Sequence, residues 1–144
     1  MSKMIQWDIN YVKAVDNVQY IGKIDLDIYR VVTEDIRTDD VVLSDAQRKH
    51  ILESHPEDYK EFSRHLQTIL REPDYILESN KPFTAIVLKE IITDKKKFKV
   101  ILRLQTSNDP AGYMNSVITF QHVEAKRYRR YIKNAKILYQ REGL

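Results

Sequence analysis

The run KFKVILRLQ, residues 97–105, alternates without a break. Phe98, Val100, Leu102 and Leu104 fall on one side, and Lys97, Lys99, Ile101, Arg103 and Gln105 on the other. Side chains along a strand point to opposite faces in turn, so this period puts four apolar groups on one face and mostly polar groups on the second. The chain must contain a sheet with two unlike faces, and something apolar must cover the first of them.

The cover is legible upstream. Ser44-Asp45-Ala46-Gln47 has the form of a capping box, in which a serine and a glutamine three residues on satisfy free N–H groups at a helix start. A helix is predicted from there through His50 and Leu52 to about Ser54. Pro56 ends it, because the residue before a proline is pushed out of the helical region. Pro56 also suits the first position of a second helix, with Glu57 and Asp58 at its positive end. In that helix Tyr59, Phe62, Leu66, Ile69 and Leu70 form an apolar stripe, which Glu72-Pro73 ends.

After Pro73 the period changes. Strands are expected at 74–77, 84–92, 97–105 and 116–123, with a turn at Asp94-Lys95-Lys96 and a loop at 108–112. The last segment begins as a short helix and ends in an extended stretch at Ile137-Leu138-Tyr139. Upstream of the capping box, residues 20–32 partly alternate and read as a strand, and 34–43 as a second extended piece. The first 19 residues show no usable period. Two helices followed by an antiparallel meander make an α+β domain.

At 144 residues the chain is one domain by size, 1–144, with 1–43 as an N-terminal extension and 44–142 as the core. There is no cysteine, which excludes a disulfide scaffold, a thiolate zinc site and thiol catalysis. No apolar run approaches the roughly 20 residues of a membrane span, and the N-terminus lacks a signal-peptide h-region. A cytoplasmic chain without a membrane partner is expected.

The net charge of +3 is unevenly spread. Residues 1–45 carry five cations against nine anions, and residues 124–144 carry seven cations against two anions. The basic tail, with Lys126, Arg127, Arg129 and Arg130, suggests a polyanion partner, although such a helix is often only solvated.

Two of the four histidines stand in HILESHPEDY, residues 50–59. On one continuous helix His50 and His55 would lie about 140° apart. The turn at Pro56 breaks that helix and leaves His55 at a corner, where it can point into a cleft. With no Asp or Cys at ligand spacing the zinc signal is weak, and no metal or other cofactor is expected. His65 borders the apolar stripe, and His122 is ambiguous.

A sheet face carrying Lys97, Lys99 and Arg103, with Thr106, Ser116 and Thr119 near it and imidazoles from a packed helix, suits a phosphodiester. Cations neutralise the phosphate and imidazole moves protons. Each residue also has a plainer reading: a lone helix histidine is usually packed or solvated, and sheet lysines often only keep a protein soluble. No Gly-rich phosphate loop, GxSxG or acidic metal cluster is present, so nucleotide hydrolysis, serine esterase and two-metal nuclease chemistry lack their parts.

Four elements occur in order: HILESHP, PDYI, LRLQT and NSVITF. Together with their flanks, over roughly residues 20–142, they resemble phage-associated members of the Barnase–EndoU–colicin–RelE (BECR) nuclease superfamily. The resemblance implies N-terminal helices packed on a four-stranded antiparallel sheet, here with an extra N-terminal β segment. It implies metal-independent RNA cleavage by attack of the ribose 2′-OH on the adjacent phosphate, giving a 2′,3′-cyclic phosphate. His50 and His55 match the helix histidines, with His55 as general base or acid. Arg103 matches the strand arginine as a phosphate clamp, and Thr106, Ser116 and Thr119 match the hydroxyls.

On this resemblance the chain is a small endoribonuclease acting on tRNA, rRNA or mRNA, a toxin of a phage or mobile element with a cognate immunity protein or antitoxin. The alternative is a non-catalytic RNA-binding or protein-interaction module on the same fold. Its support is AKRYRRYIKNAK, where Tyr128 and Tyr131 stand among five cations from Lys126 to Lys133. These tyrosines are equally suited to packing the helix onto the sheet. Geometry separates the two readings: catalysis needs His50 or His55 and Arg103 close enough for one phosphate to bridge them.

Overall fold

A computed structural model describes residues 12–13 and 17–144, apart from the side chains of Val12, Lys13 and Phe62. The rest of the N-terminal extension lies outside the described residues. The chain forms β1 (Val12–Lys13), β2 (Val18–Lys23), α1 (Leu26–Tyr29), β3 (Asp40–Ser44), α2 (Asp45–Ser54), α3 (Pro56–Phe62) and α4 (Leu66–Arg71). It continues with β4 (Tyr75–Glu78), β5 (Thr84–Ile91), β6 (Lys96–Arg103), β7 (Tyr113–Val123), α5 (Ala125–Asn134) and β8 (Ile137–Gln140).

The architecture is α+β. The strands run in the order β2-β3-β7-β6-β5-β4-β8, with the short β1 also paired to β7. The β3–β7 pair is parallel and the other pairs are antiparallel, so the sheet is mixed. It is therefore wider than the four antiparallel strands expected. The order β7-β6-β5-β4 occupies the middle, the hairpin β2-β3 extends one edge, and β8 extends the other.

The alternation in β6 appears directly in its burial. Phe98, Val100, Leu102 and Leu104 are fully buried. They pack with Tyr29, Ile51, Leu66, Ile69 and Leu70 of α1, α2 and α4. This is the helical face, and full burial of each aliphatic or aromatic side chain contributes roughly 1.5–3 kcal/mol. Tyr29 ends in a polar group within this core, and its hydroxyl donates to Leu70 O at 2.6 Å. The opposite face carries α5. Tyr128 packs there with Leu77, Leu88 and Val123, flanked by Tyr131 and Ile132.

Most boundaries follow the local chemistry. Ser44 caps α2, its Oγ accepting from Gln47 N at 3.1 Å. Pro56 opens α3. Two expectations fail. Residues 24–29 are not a strand: Asp25 accepts from Asp27 N at 2.9 Å and caps the helical turn α1. Ile24 and Ile28 stand four apart, a spacing that keeps one face in both periods, so the cap decides. The second predicted helix is two, because the chain turns at 63–65 before α4 begins. That turn carries His65 to Asp94, at 2.7 Å.

Candidate active site

Partners across paired strands share a face, so the register assigns the polar residues to faces. Arg103 is opposite Ser116 and Thr84, Ile101 is opposite Thr119, and Lys99 is opposite Gln121. Lys97, Lys99, Arg103, Ser116 and Thr119 thus lie on the α5 face. Ser116 is buried and Thr119 is partly exposed.

The histidines are elsewhere. On α2, Gln47 and Ile51 face inward and His50 is exposed. His55 precedes α3, with Nδ1 3.8 Å from Asp58 Oδ2. That same carboxylate oxygen accepts from His122 N at 3.1 Å. His122 is opposite Phe98, and their rings stand 6.1 Å apart. His65 is 5.9 Å from the same Phe98 ring. Two imidazoles, His65 and His122, therefore border Phe98 on the helical side, and His55 is linked to the second through Asp58.

Phe98 and Arg103 are five residues apart on one strand, which is about 16 Å and reverses the face. The expected pairing of His50 or His55 with Arg103 is therefore not formed, because the sheet stands between them. The corner at Pro56 exists, but it turns His55 toward Asp58 and the His122 backbone.

Arg103 has a local task. Its guanidinium bonds Asp109 through Nη2–Oδ1 at 3.1 Å and Nη1–Oδ2 at 3.3 Å, and it also donates to Leu104 O. Asp109 Oδ2 in turn accepts from Thr106 N at 2.7 Å. Thr106 is fully buried. This staple fixes the β6–β7 loop, and the Thr106 hydroxyl joins it through Asp109 Oδ2 at 3.3 Å.

A different group converges on the α5 face. Lys99 Nζ donates to the Tyr131 hydroxyl at 3.0 Å and stands 4.8 Å from the centre of the same ring. The Arg127 guanidinium lies 5.7 Å from that ring. Burial would push the Tyr131 phenol up, but the Lys99 hydrogen bond and the charges of Lys99 and Arg127 outweigh it, and its pKa is lowered. Beside it, Arg127, Arg130, Tyr131, Asn134 and Ala135 line an open recess of about 410 Å3.

The charges on this face divide into two sets. Lys97 pairs with Glu90 at 3.4 Å, and Arg103 pairs with Asp109. Among the described residues, Lys99, Arg127 and Arg130 enter no ion pair. Lys126 and Arg129 are exposed, about 200° and 100° around the helix from the buried Tyr128. Of the six cations expected to meet RNA, Lys99, Arg127 and Arg130 gather beside one phenol.

Sequence reasoning weighed Tyr131 as a base-stacking or packing residue and missed its partnership with Lys99. The readable signal was the four-residue spacing of Arg127 and Tyr131, which puts them on one helix face. That α5 crosses β6 at Lys99 was not readable.

A family model described as phage-Barnase-EndoU-ColicinE5/D-RelE like nuclease2 matches residues 16–140. The chain belongs to this nuclease family. No curated protein and no solved structure matches it significantly. A phage-associated BECR-like nuclease acts on nucleic acid, a polyanion. Among the described residues no helix is long and apolar enough to cross a membrane. Nor do those residues gather three or more His, Cys, Asp or Glu side chains around a metal position.

Proposed function

We propose that this family member is a metal-independent endoribonuclease whose reacting groups are Lys99, Tyr131 and Arg127. The supporting observation is the Lys99–Tyr131 hydrogen bond of 3.0 Å beside Arg127, in a cluster that leaves its positive charge available. A phenol with a lowered pKa supplies more phenolate near neutral pH than an ordinary tyrosine, and a phenolate is a general base. It takes the proton of the ribose 2′-OH while the 2′-oxygen bonds to phosphorus. The bond from phosphorus to the 5′-oxygen breaks, and the Lys99 ammonium is the nearest proton source for that leaving oxygen. Arg127 and Arg130 offset the charge that builds on the phosphate oxygens. The products are a 2′,3′-cyclic phosphate and a 5′-OH end.

We extend this reading to a toxin whose inhibitor presents carboxylates to the same three cations. The rival reading is a non-catalytic RNA-binding module, and the separation of the imidazoles from Arg103 favours it. Purified protein incubated with bulk tRNA and rRNA in EDTA decides between them. Cyclic-phosphate ends that disappear in Tyr131→Phe and Lys99→Ala support the nuclease. Salt-sensitive RNA binding without cleavage supports the binding module.

A further inference from the structure

Among the described residues, the most exposed aromatic ring on the α5 face is not near Tyr131. Tyr20 of β2 is 52% exposed. Its face follows from the register: Tyr20 is opposite Val42, Val42 is opposite Ser116, and Ser116 is opposite Arg103. Its neighbour Gly22 shows the opposite direction, since a Cβ there would meet Gln67 of α4 at 2.7 Å on the helical face.

The ring is held in place. Tyr20 Oη donates to Asp40 Oδ1 at 2.8 Å, and Lys23 Nζ meets the same oxygen at 2.8 Å. The Asp40 hydrogen bond raises the Tyr20 pKa, so the phenol stays neutral and keeps donating. Lys23 also reaches Asp39 Oδ1 at 3.1 Å, so one lysine is shared by two carboxylates and offsets only part of their charge. An exposed ring whose free end is tied down can present a flat surface with little rotamer entropy left to lose on contact.

Three strand spacings of about 4.8 Å separate Tyr20 from Arg103, and four residues at about 3.3 Å separate Arg103 from Lys99. The diagonal is roughly 19 Å across a twisted sheet. Between the two ends lie Ile101, Arg103 and Thr119, all partly exposed. A chain of several nucleotides fits that interval, whereas the two nucleotides flanking one phosphate do not reach across it.

We infer that Tyr20 is a base-stacking subsite for single-stranded RNA, several nucleotides from the bond held at Lys99 and Tyr131. The inference rests on the nuclease reading for its polarity, since the basic cluster anchors the other end. The substrate class is single-stranded, because a base must leave its duplex stack to lie on the ring. Tyr20 therefore sets how much RNA the enzyme engages and which bases it tolerates at that position.

The test uses the full chain and oligonucleotides with 2′-deoxy sugars, which cannot be cleaved by 2′-OH attack. Affinity is measured for a dinucleotide and an octanucleotide, with wild type, Tyr20→Ala, Tyr20→Phe and Tyr20→Leu. The wild type is expected to gain affinity with length. Tyr20→Ala and Tyr20→Leu are expected to lose about tenfold of that gain, the effect of one lost stacked base. Tyr20→Phe keeps the ring and is expected to keep most of the gain. Leucine retains bulk and strand propensity, so it answers for Tyr20 should alanine destabilise β2. A length gain equal in all four proteins overturns the inference, and so does loss with phenylalanine equal to loss with alanine. Cleavage of all-ribose RNA by the wild type is scored separately. Its absence removes the nuclease reading and leaves the binding series to judge Tyr20 alone.

Discussion

Both faces of this sheet carry matched ion pairs, and the α5 face also gathers a cluster of cations. On the helical side several charged groups are matched locally: His65 and Arg64 with Asp94, Lys96 with Glu61, and His55 near Asp58. On the α5 side Lys99, Arg127 and Arg130 gather around a phenol. Matched pairs beside an apolar core satisfy themselves and have little left for a ligand, because their fields cancel within a few ångströms. Like charges held together raise the local potential and wait for an external anion. The proposed reaction centre rests on this difference, since the helical face has more histidines but the α5 face has the gathered cations.

Breaking the helical face carries the largest expected effect. Phe98 is fully buried and contacts both the His65 and His122 rings. Phe98→Ala is expected to cost about 3–5 kcal/mol in urea unfolding. A cost near 1 kcal/mol would mean that the imidazole rim is loosely packed.

Next in size is the chemistry of the α5 face. Tyr131→Phe is expected to lower cleavage about 100-fold or more, within the range for removing a general base. His55→Ala is expected to stay within a few-fold of wild type. The reverse ranking would move the reaction centre to the helical side and undo the comparison. The pH profile sharpens the same point. A phenol with a lowered pKa gives a rate that rises with pH and levels off below the ordinary tyrosine pKa of about 10. In Lys99→Met the residual rate should need a higher pH to level off, because the chief cause of the lowering is gone.

Local periodicity and capping disclosed most of the fold. Residues 97–105 showed both faces of β6, and Ser44 and Pro56 marked the starts of α2 and α3, because those signals act within a few residues. The parallel β3–β7 pairing was hidden, since it joins Val41 and Val42 to Asn115 and Ser116 across most of the chain. The site was half legible for the same reason. Lys99 and Arg127 could be named as cations from the sequence, but their meeting depends on where α5 crosses the sheet. His55 and Arg103 looked compatible because strand parity says which face a residue takes, not which face a helix will cover.

A smaller effect tests the start of α2, which sets the helical cover. Ser44→Ala removes the oxygen that accepts from Gln47 N. The expected loss is about 1 kcal/mol, read as a lower urea midpoint with an unchanged slope. Cleavage should hardly change, since α2 lies on the other side of the sheet from Lys99. A loss of activity larger than the loss of stability would show that the two faces are coupled.

The smallest effect concerns the matched charges themselves. The His65 hydrogen bond holds the Asp94 carboxyl below the usual carboxylate range, with help from the charges of His65 and Arg64. A carboxylate whose folded pKa is depressed favours the folded state above its unfolded pKa of about 3.9. That contribution is lost as pH falls through the lower, folded value. Wild type should therefore exceed Asp94→Asn in stability at pH 5, and the gap should close below pH 4 as the carboxylate takes up its proton. Urea midpoints of the two proteins across that window measure it. A gap that persists to the lowest pH would assign Asp94 a role as a hydrogen-bond acceptor with no charge component. In that case the helical face would owe its matched pairs to geometry, and the contrast with the Lys99 cluster would rest on the α5 side alone.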